Sequence, residues 1–502
     1  MRKLFALSFM FICLTVMTVS NVSALTTINY DITSNMTLGP TGSPADTEYL
    51  LSGSVYVKAP AQLTIQPGTK IYGDEATIGT LIIERGAKIH ATGTPTQPIV
   101  FTKQPTSLAE RGKWGGVIIA GNAPINLPGG EGPIEGVTGN YGGSDPADNS
   151  GELQYVRIEY AGHLFTETAE LNGLALHGVG SGTTIDHVQV LMNKDDCIEM
   201  FGGTVNMKYM IGTWCRDDSF DWTEGWQGKA QFVVVSQRAD EADAGIEADN
   251  YEFGHDNTPR SNPTIYNMTM VGDPYTTYGT ESTIGMRPRR GTAGTFKNFI
   301  VTGFKSYGIR VDDTATVSQI TGGNLVVSNS IVSGNTGGAF NTAAQNAVTG
   351  GYWTNINTTV DPELCNPLPA DIYSYIDATK KYMPNFAPVA GSPAIDGTVA
   401  VATPPADGFF DAVNFIGAVD PTNDWTYGWT SFGAAKQKAG DLDYNGTVNV
   451  LDVVKIKKIA SSASPYQSCS DLNNDISVNL LDVVKVKRRA SGADAPTVCC
   501  TE

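Results

Sequence analysis

Lys194-Asp195-Asp196-Cys197-Ile198-Glu199 returns 22 residues later as Arg216-Asp217-Asp218-Ser219-Phe220-Asp221, and Gly203 then falls on Gly225. A looser copy, Asp243-Ala244-Gly245-Ile246-Glu247, follows 26 residues after the second. Each copy pairs a turn-forming acidic start with an apolar–acidic alternation, the signature of a short half-buried strand. Outward from this stretch the spacing varies but the pattern persists. Leu63-Thr64-Ile65-Gln66-Pro67-Gly68-Thr69-Lys70-Ile71 is echoed 18 residues later by Leu81-Ile82-Ile83-Glu84-Arg85-Gly86-Ala87-Lys88-Ile89. Asn267, Asn298 and Asn329 stand 31 residues apart, each before a strand-like run, and Gly285-Met286-Arg287 returns as Gly308-Ile309-Arg310. Strands repeated at these periods and cut by Gly, Asn and Asp describe a solenoid. Helical periodicity is absent and propeller blades need about 40 residues, so the expectation is mainly β: a parallel β-helix. Equivalent residues should stack at about 4.8 Å between coils. Ile198, Phe220 and Ile246 should then point into the core. Its hand is expected to be right, by the general rule for parallel crossovers.

The β-helix is placed at residues 25–364. Residues 365–432 break the rhythm with Pro367, Pro369, Pro404 and Pro405 and end in aromatics, among them Trp425, Tyr427 and Trp429. A solenoid needs a cover for its open end, so this stretch reads as a C-terminal cap. Residues 433–440 read as a linker. At the other end, Arg2 and Lys3 precede an apolar run, and Val22-Ser23-Ala24 is a small-residue cleavage site. Residues 1–24 are therefore read as an export signal, with the product secreted or held at the cell surface. No later run reaches the about 18 apolar residues of a span, so membrane insertion is not expected.

Charge narrows the partners. The 502 residues carry a net charge of −18. Nucleic acid needs clustered positive charge and is not an expected partner. Of seven cysteines, six follow the signal, an even number in an exported chain, which points to disulfides. Cys197 and Cys215 invite pairing, but in the 22-residue register Cys215 aligns with Asn193. The gap to Cys197 is about 13 Å along a strand, so the pair forms only if a corner intervenes. The five histidines lie in neither triad nor metal-ligand spacing, and packed or solvated roles are expected for them.

Residues 441–502 carry a different repeat. Asp441-Leu442-Asp443-Tyr444-Asn445-Gly446-Thr447-Val448-Asn449-Val450-Leu451-Asp452 is matched by Asp471-Leu472-Asn473-Asn474-Asp475-Ile476-Ser477-Val478-Asn479-Leu480-Leu481-Asp482, and each is followed by a basic helix-like run. Oxygens at positions 1, 3, 5, 9 and 12, with a carbonyl at 7, are what a calcium loop supplies. The expected ligands are Asp441, Asp443, Asn445, Thr447, Asn449 and Asp452, then Asp471, Asn473, Asp475, Ser477, Asn479 and Asp482. The cofactor is calcium. The pair resembles a type I dockerin, a small α-helical calcium-loop domain. The resemblance implies docking onto a cohesin-like domain or cell-surface scaffold, through Val450, Leu451, Leu480, Leu481 and the basic helix ends. Ile476 departs from Gly446 at the sharp turn of the loop.

The acidic ladder is the candidate site of the solenoid. Asp195 over Asp217, Asp196 over Asp218 and Glu199 over Asp221 bring like charges together, which demands protons, basic partners or cations. Paired carboxylates serve glycoside hydrolysis, and acid-held calcium with a basic side chain serves polyuronate elimination. The candidate catalytic acids are Asp195, Asp196, Asp217, Asp218 and Asp221. Backbone-satisfying turns, structural calcium or a ligand site without chemistry would use the same residues. Asp195-Asp196-Cys197-Ile198 resembles the Asp-Asp element of polygalacturonases. Asp218-Ser219-Phe220 stands where that family carries Gly-His-Gly, so the chain is not read as a polygalacturonase. Trp114-Gly115-Gly116-Val117-Ile118-Ile119-Ala120-Gly121-Asn122-Ala123-Pro124 and Phe201-Gly202-Gly203-Thr204-Val205 are similar to segments of exported bacterial β-helix proteins, which implies fold and export but no reaction. Trp214, Trp222 and Trp226 are candidates for stacking on sugar rings, against core or cap packing. The expectation is a secreted protein that binds or cleaves an extracellular polysaccharide, a polyuronate among the candidates. The alternative is a non-catalytic adhesin or scaffold.

Overall fold

The computed structural model describes residues 25–42, 46–166, 169–276, 279–367 and 384–432. The export signal, the linker and the whole dockerin-like module, with its calcium ligands, lie outside the described residues. Short strands from Thr26 to Asn357 form two parallel sheets, of 15 and nine strands, that face each other across one apolar core. The chain alternates between them. Thr184–Leu191, Asn206–Thr213, Lys229–Ser236, Thr264–Val271, Gly294–Thr302 and Leu325–Val332 are successive rungs of the larger sheet. Ile198–Phe201, Phe220–Thr223, Ala244–Ala248 and Ile284–Pro288 are rungs of the smaller one. No helix of the described residues is long and apolar enough to cross a membrane.

The coil register follows the sequence repeats at the middle of the chain. Glu199 pairs with Asp221, Asp221 with Glu247, and Met286 with Ile309. Ile198, Phe220 and Ile246 are fully buried, one above another. The 18-residue echo has another meaning. Leu63 stacks on Ile89 in the larger sheet, while Leu81 stacks on Val55 and Val117 in the smaller one. The echo therefore links successive walls of the solenoid, not successive coils. Gly203 and Gly225 sit at left-handed turns (φ 80° and 90°), where a Cβ would come within 2.4 Å of the Val179 carbonyl oxygen and 2.3 Å of that of Pro259. Only glycine lets the coils approach so closely there.

The rungs of the larger sheet bend at one residue held at positive φ. Tyr155, His187, Tyr209, Phe232, Asn267, Asn298, Asn329 and Asn355 occupy this place, with φ between 51° and 61°. Their neighbours pair on both sides, as Gln154 with Asp186 and Val156 with Val188, while Tyr155 and His187 drop out of the ladder. Asn tolerates the left-handed region because its short side chain bonds locally. The asparagines spaced by 31 thus lie inside long bent strands.

Residues 384–432 run lengthwise along the larger sheet, crossing its coils side by side. Asn329 Nδ2 donates to the Ala400 carbonyl (2.8 Å), Asn298 Nδ2 to Ala402 (2.9 Å) and Asn267 Nδ2 to Phe415 (3.0 Å). Gln231 and Gln189 exchange two hydrogen bonds each with the backbone of Asp411 and Ser431. A row of amides down one wall gives a strap a continuous set of partners. That is why the described part of the segment covers a side of the solenoid.

Candidate functional site

The short strands of the smaller sheet are entered through corners whose backbone amides have no sheet partner. Short acidic and amide side chains supply one from the coil before. Asn172 Oδ1 accepts from the amide of Asp196 (3.1 Å), Asp196 Oδ1 from that of Asp218 (2.8 Å) and Asp218 Oδ1 from that of Ala244 (2.6 Å). Two of the five expected catalytic acids therefore each commit one oxygen to the fold. The same corners explain the disulfide. Cys197 ends one corner and Cys215 begins the next, with left-handed Met192 and Trp214 turning the chain. The Cα atoms come within 5.6 Å and the two cysteines are bonded.

All five expected acids meet in one continuous acidic band, the furrow, at the corners and along the outer face of the smaller sheet. Carboxylate oxygens of Asp196, Asp218 and Asp221 lie within 4.8 Å of one another, as do those of Glu170, Asp195 and Asp217, and of Asp217, Asp218 and Asp243. Glu199, Asp221 and Glu247 form a second row in direct register, continued by Arg287. The Oδ1 atom of Asp221 is shielded from solvent and meets no hydrogen-bond donor.

The two ends of the furrow differ in charge. Downstream, guanidiniums answer the acids. Arg287 lies 2.8 Å from Asp312 and 3.2 Å from Glu247, and Arg289 and Arg290 each lie 2.7 Å from Asp249. Burial disfavours the charge of Arg287 and Arg289. Even so, Asp312 and Glu247 hold Arg287, and Asp249 and Glu247 hold Arg289, above the ordinary guanidinium range. Upstream, around Glu135, Glu170, Asp195 and Glu199, Arg216 pairs with Glu170 at 4.0 Å and its charge opposes the rise at Asp195. Burial, then the charges of Glu170 and Asp217, push Asp195 up to about 8. Burial and Glu170 push Glu135 up to about 7. Burial lifts Glu224 to about 7 against a hydrogen bond from the Tyr141 hydroxyl. Burial is also the main cause that raises Asp196, Glu199, Asp218 and Asp221 well above the usual carboxylate range. Buried carboxyls stacked in this way hold protons or a cation.

Glu135, Glu170 and Tyr141 escape repeat analysis. They belong to two excursions, the hairpin of Glu131–Pro133 with Asn140–Gly142 and that of His163–Thr166 with Ala169–Leu171. Both are inserted between Gly116–Ala120 and Leu174–His177, which are adjacent rungs. Such insertions have no counterpart in other coils to align with. Trp214, Trp222 and Trp226 are buried, so they pack the interior and are not available to sugar rings. His177 is buried too, and burial pushes it down to about 3.

Over residues 31–362 the sequence matches the family of pectate-lyase-like beta helix domains, and the chain belongs to that family. One solved structure, the periplasmic alginate epimerase AlgG, is similar over 62% of this chain and 76% of its own, at 9% identity and a TM-score of 0.23. No curated protein matches the sequence.

Proposed function

We propose that this is an exported, polysaccharide-associated β-helix that takes calcium in its acidic furrow and holds an anionic extracellular glycan through the metal and the neighbouring arginines. The observation that carries this reading is the imbalance within the furrow. Stacked, buried carboxyls that outnumber the one guanidinium beside them, Arg216, lie upstream, and a row of guanidiniums lies downstream. Hard carboxylate oxygens suit calcium, and a bound calcium presents open positions to the carboxylates of a uronate chain. Asp221, with its unpartnered oxygen, and Glu199 are the central ligands in this proposal. The dockerin-like module, with Asp441 to Asp482 as its own calcium ligands, would attach the protein to a cohesin-like domain or surface scaffold. The arginines are tied to carboxylates, which favours a glycan-holding role for them over that of a catalytic base.

Hydrolysis is a second reading, favoured by one observation. Asp195, raised to about 8, keeps its proton at neutral pH and lies beside Asp217, the pairing of acid and carboxylate that glycosidases use. One experiment separates the readings. The full chain is run through native gels containing polygalacturonate or alginate, with calcium or with EDTA. Reducing ends and ultraviolet absorbance are followed in parallel. Calcium-dependent retardation, lost in Glu199→Gln with Asp221→Asn, is the expected result. Equal mobility in calcium and EDTA refutes the furrow reading. Reducing ends that vanish in Asp195→Asn move the assignment to hydrolysis.

A further inference from the structure

The left-handed ladder of the larger sheet changes character along its length. At Asn267, Asn298 and Asn329 the side chains bond the backbone of the strap that covers them. At Tyr155, His187, Tyr209 and Phe232 aromatic rings take the same place and stack on one another at centroid distances of 4.3, 4.3 and 5.0 Å. A bulky ring at positive φ is strained where asparagine is not. Four consecutive rungs accept that cost. Over these rungs the strap leaves a cleft of about 490 Å³. Trp425 lies across the ladder, 5.2 Å from Tyr209 with its plane at 64°, and Trp429 lies 5.7 Å from His187. Trp114, Trp214, Trp222, Trp226, Trp353 and Trp429 are all buried, whereas Trp425 is partly exposed. Carboxylates of Asp411, Asp420 and Asp424 line the cleft.

We infer that this cleft is a second carbohydrate site, on a different wall from the furrow, and that it takes a neutral pyranose chain. Aromatic edges and a half-exposed indole offer the apolar contact that sugar rings make, and acidic side chains accept from sugar hydroxyls. Lys208 pairs with Asp411 at 2.8 Å; Asp420 and Asp424 add two further negative charges to the lining, and with no metal cluster of described residues among the three the cleft disfavours a uronate. The inference does not rest on the furrow reading, because this site needs no calcium.

The test is made entirely in EDTA with the full chain. Soluble β-glucan, xylan and galactomannan are titrated while tryptophan fluorescence is followed, with polygalacturonate as the anionic comparison. Trp425 and Trp429 both line the cleft and lie 6.5 Å apart, so a change in emission reports its occupation. At least one neutral glycan is expected to change the emission, and polygalacturonate is expected not to. Measured by titration calorimetry, which does not need the indole, Trp425→Ala should weaken that binding at least 10-fold and Trp425→Phe by a smaller factor, with the melting temperature confirming that the phenylalanine variant folds. If no neutral glycan changes the wild-type emission, or if Trp425→Phe and wild type bind equally, the inference is wrong. Polygalacturonate binding as tightly as the neutral chains in EDTA also overturns it.

Discussion

Raising the pH from 5 to 8 in EDTA should destabilise the β-helix, and calcium should restore it. Asp195 is the clearest contributor, lifted from 3.8 to about 8 by burial and by Glu170 and Asp217. A carboxyl whose folded pKa lies above its unfolded one binds more protons in the folded state. Its contribution is therefore most favourable below the unfolded value and is lost as pH rises toward the folded one. The window runs from about pH 4 to about pH 8. At about 1.4 kcal/mol per unit, Asp195 alone accounts for up to about 5 kcal/mol across it. Calcium at 100 times its dissociation constant returns about 2.7 kcal/mol. For a solenoid of this size an unfolding entropy near 2 cal/mol/K per residue converts 1 kcal/mol into about 1–2 °C. Calorimetry in EDTA should then show the β-helix transition falling by about 4–7 °C between pH 5 and pH 8. Calcium should raise it by about 3–5 °C at pH 8 and by much less at pH 5. The measurement is best made with Asp441, Asp452, Asp471 and Asp482 all replaced by alanine, so that the C-terminal loops do not contribute. Asp195→Asn should flatten the pH slope. A transition indifferent to both pH and calcium would refute the charge argument on which the furrow rests.

Further outcomes follow from the corner geometry and from the sequence of the calcium loops. Asp218→Ala removes the acceptor for the buried Ala244 amide and should cost about 1–3 kcal/mol in denaturant unfolding. Asp218→Asn keeps an acceptor, removes a strained charge and should be neutral or stabilising at pH 8. Replacing Cys197 and Cys215 by serine opens a bridge between residues 18 apart and should cost about 3 kcal/mol by the chain-entropy estimate, measured against wild type in guanidinium. Asp441→Ala with Asp452→Ala should abolish calcium-dependent folding of the C-terminal module, followed by far-ultraviolet circular dichroism with and without EDTA. A wild-type module indifferent to EDTA would argue against the dockerin-like assignment.

The solenoid was legible because its register is written in residues that cannot change sides. Ile198, Phe220 and Ile246 must face inward in every coil, so the acids beside them must stack as well, and five site residues could be read directly. What the repeats could not reveal was which oxygen goes where. Asp196 and Asp218 lie in the same repeat as Asp195 and Asp217, and all four join close groups of carboxylates, yet Asp196 and Asp218 also bond the next corner. Spacing alone does not distinguish them, since both choices satisfy a β-helix turn. The cysteine pair turned on whether Met192 to Cys197 formed a strand or a corner, and a single left-handed residue decided it. The strap was hidden for a different reason. Its partners are asparagine and glutamine side chains far away in sequence, and only the three asparagines spaced by 31 betrayed that the wall they line was regular.

A repeat that stacks hydrophobic residues stacks whatever lies next to them, and the consequences differ with the chemistry. Stacked asparagines bond a strap, and stacked aromatics make a surface. Stacked carboxyls make a charge problem that the chain solves in two ways along one furrow. Downstream, Arg287 sits in the register position that follows Glu247, and Arg289 and Arg290 just beyond it pair with Asp249, bringing their charge to the end of the ladder. Upstream, no comparable row of bases follows Asp195 and Glu199, and the two inserted hairpins add Glu135 and Glu170, which increase the repulsion. Glu135 takes a hydrogen bond from the backbone of Glu170, which ties the two hairpins together, but the corner amides of this stretch are already satisfied by Asn172, Asp196 and Asp218 and do not need either carboxylate. The two glutamates therefore make sense as part of a site that meets a cation or a proton donor, which is why the furrow's upstream half is the place to look first for bound metal.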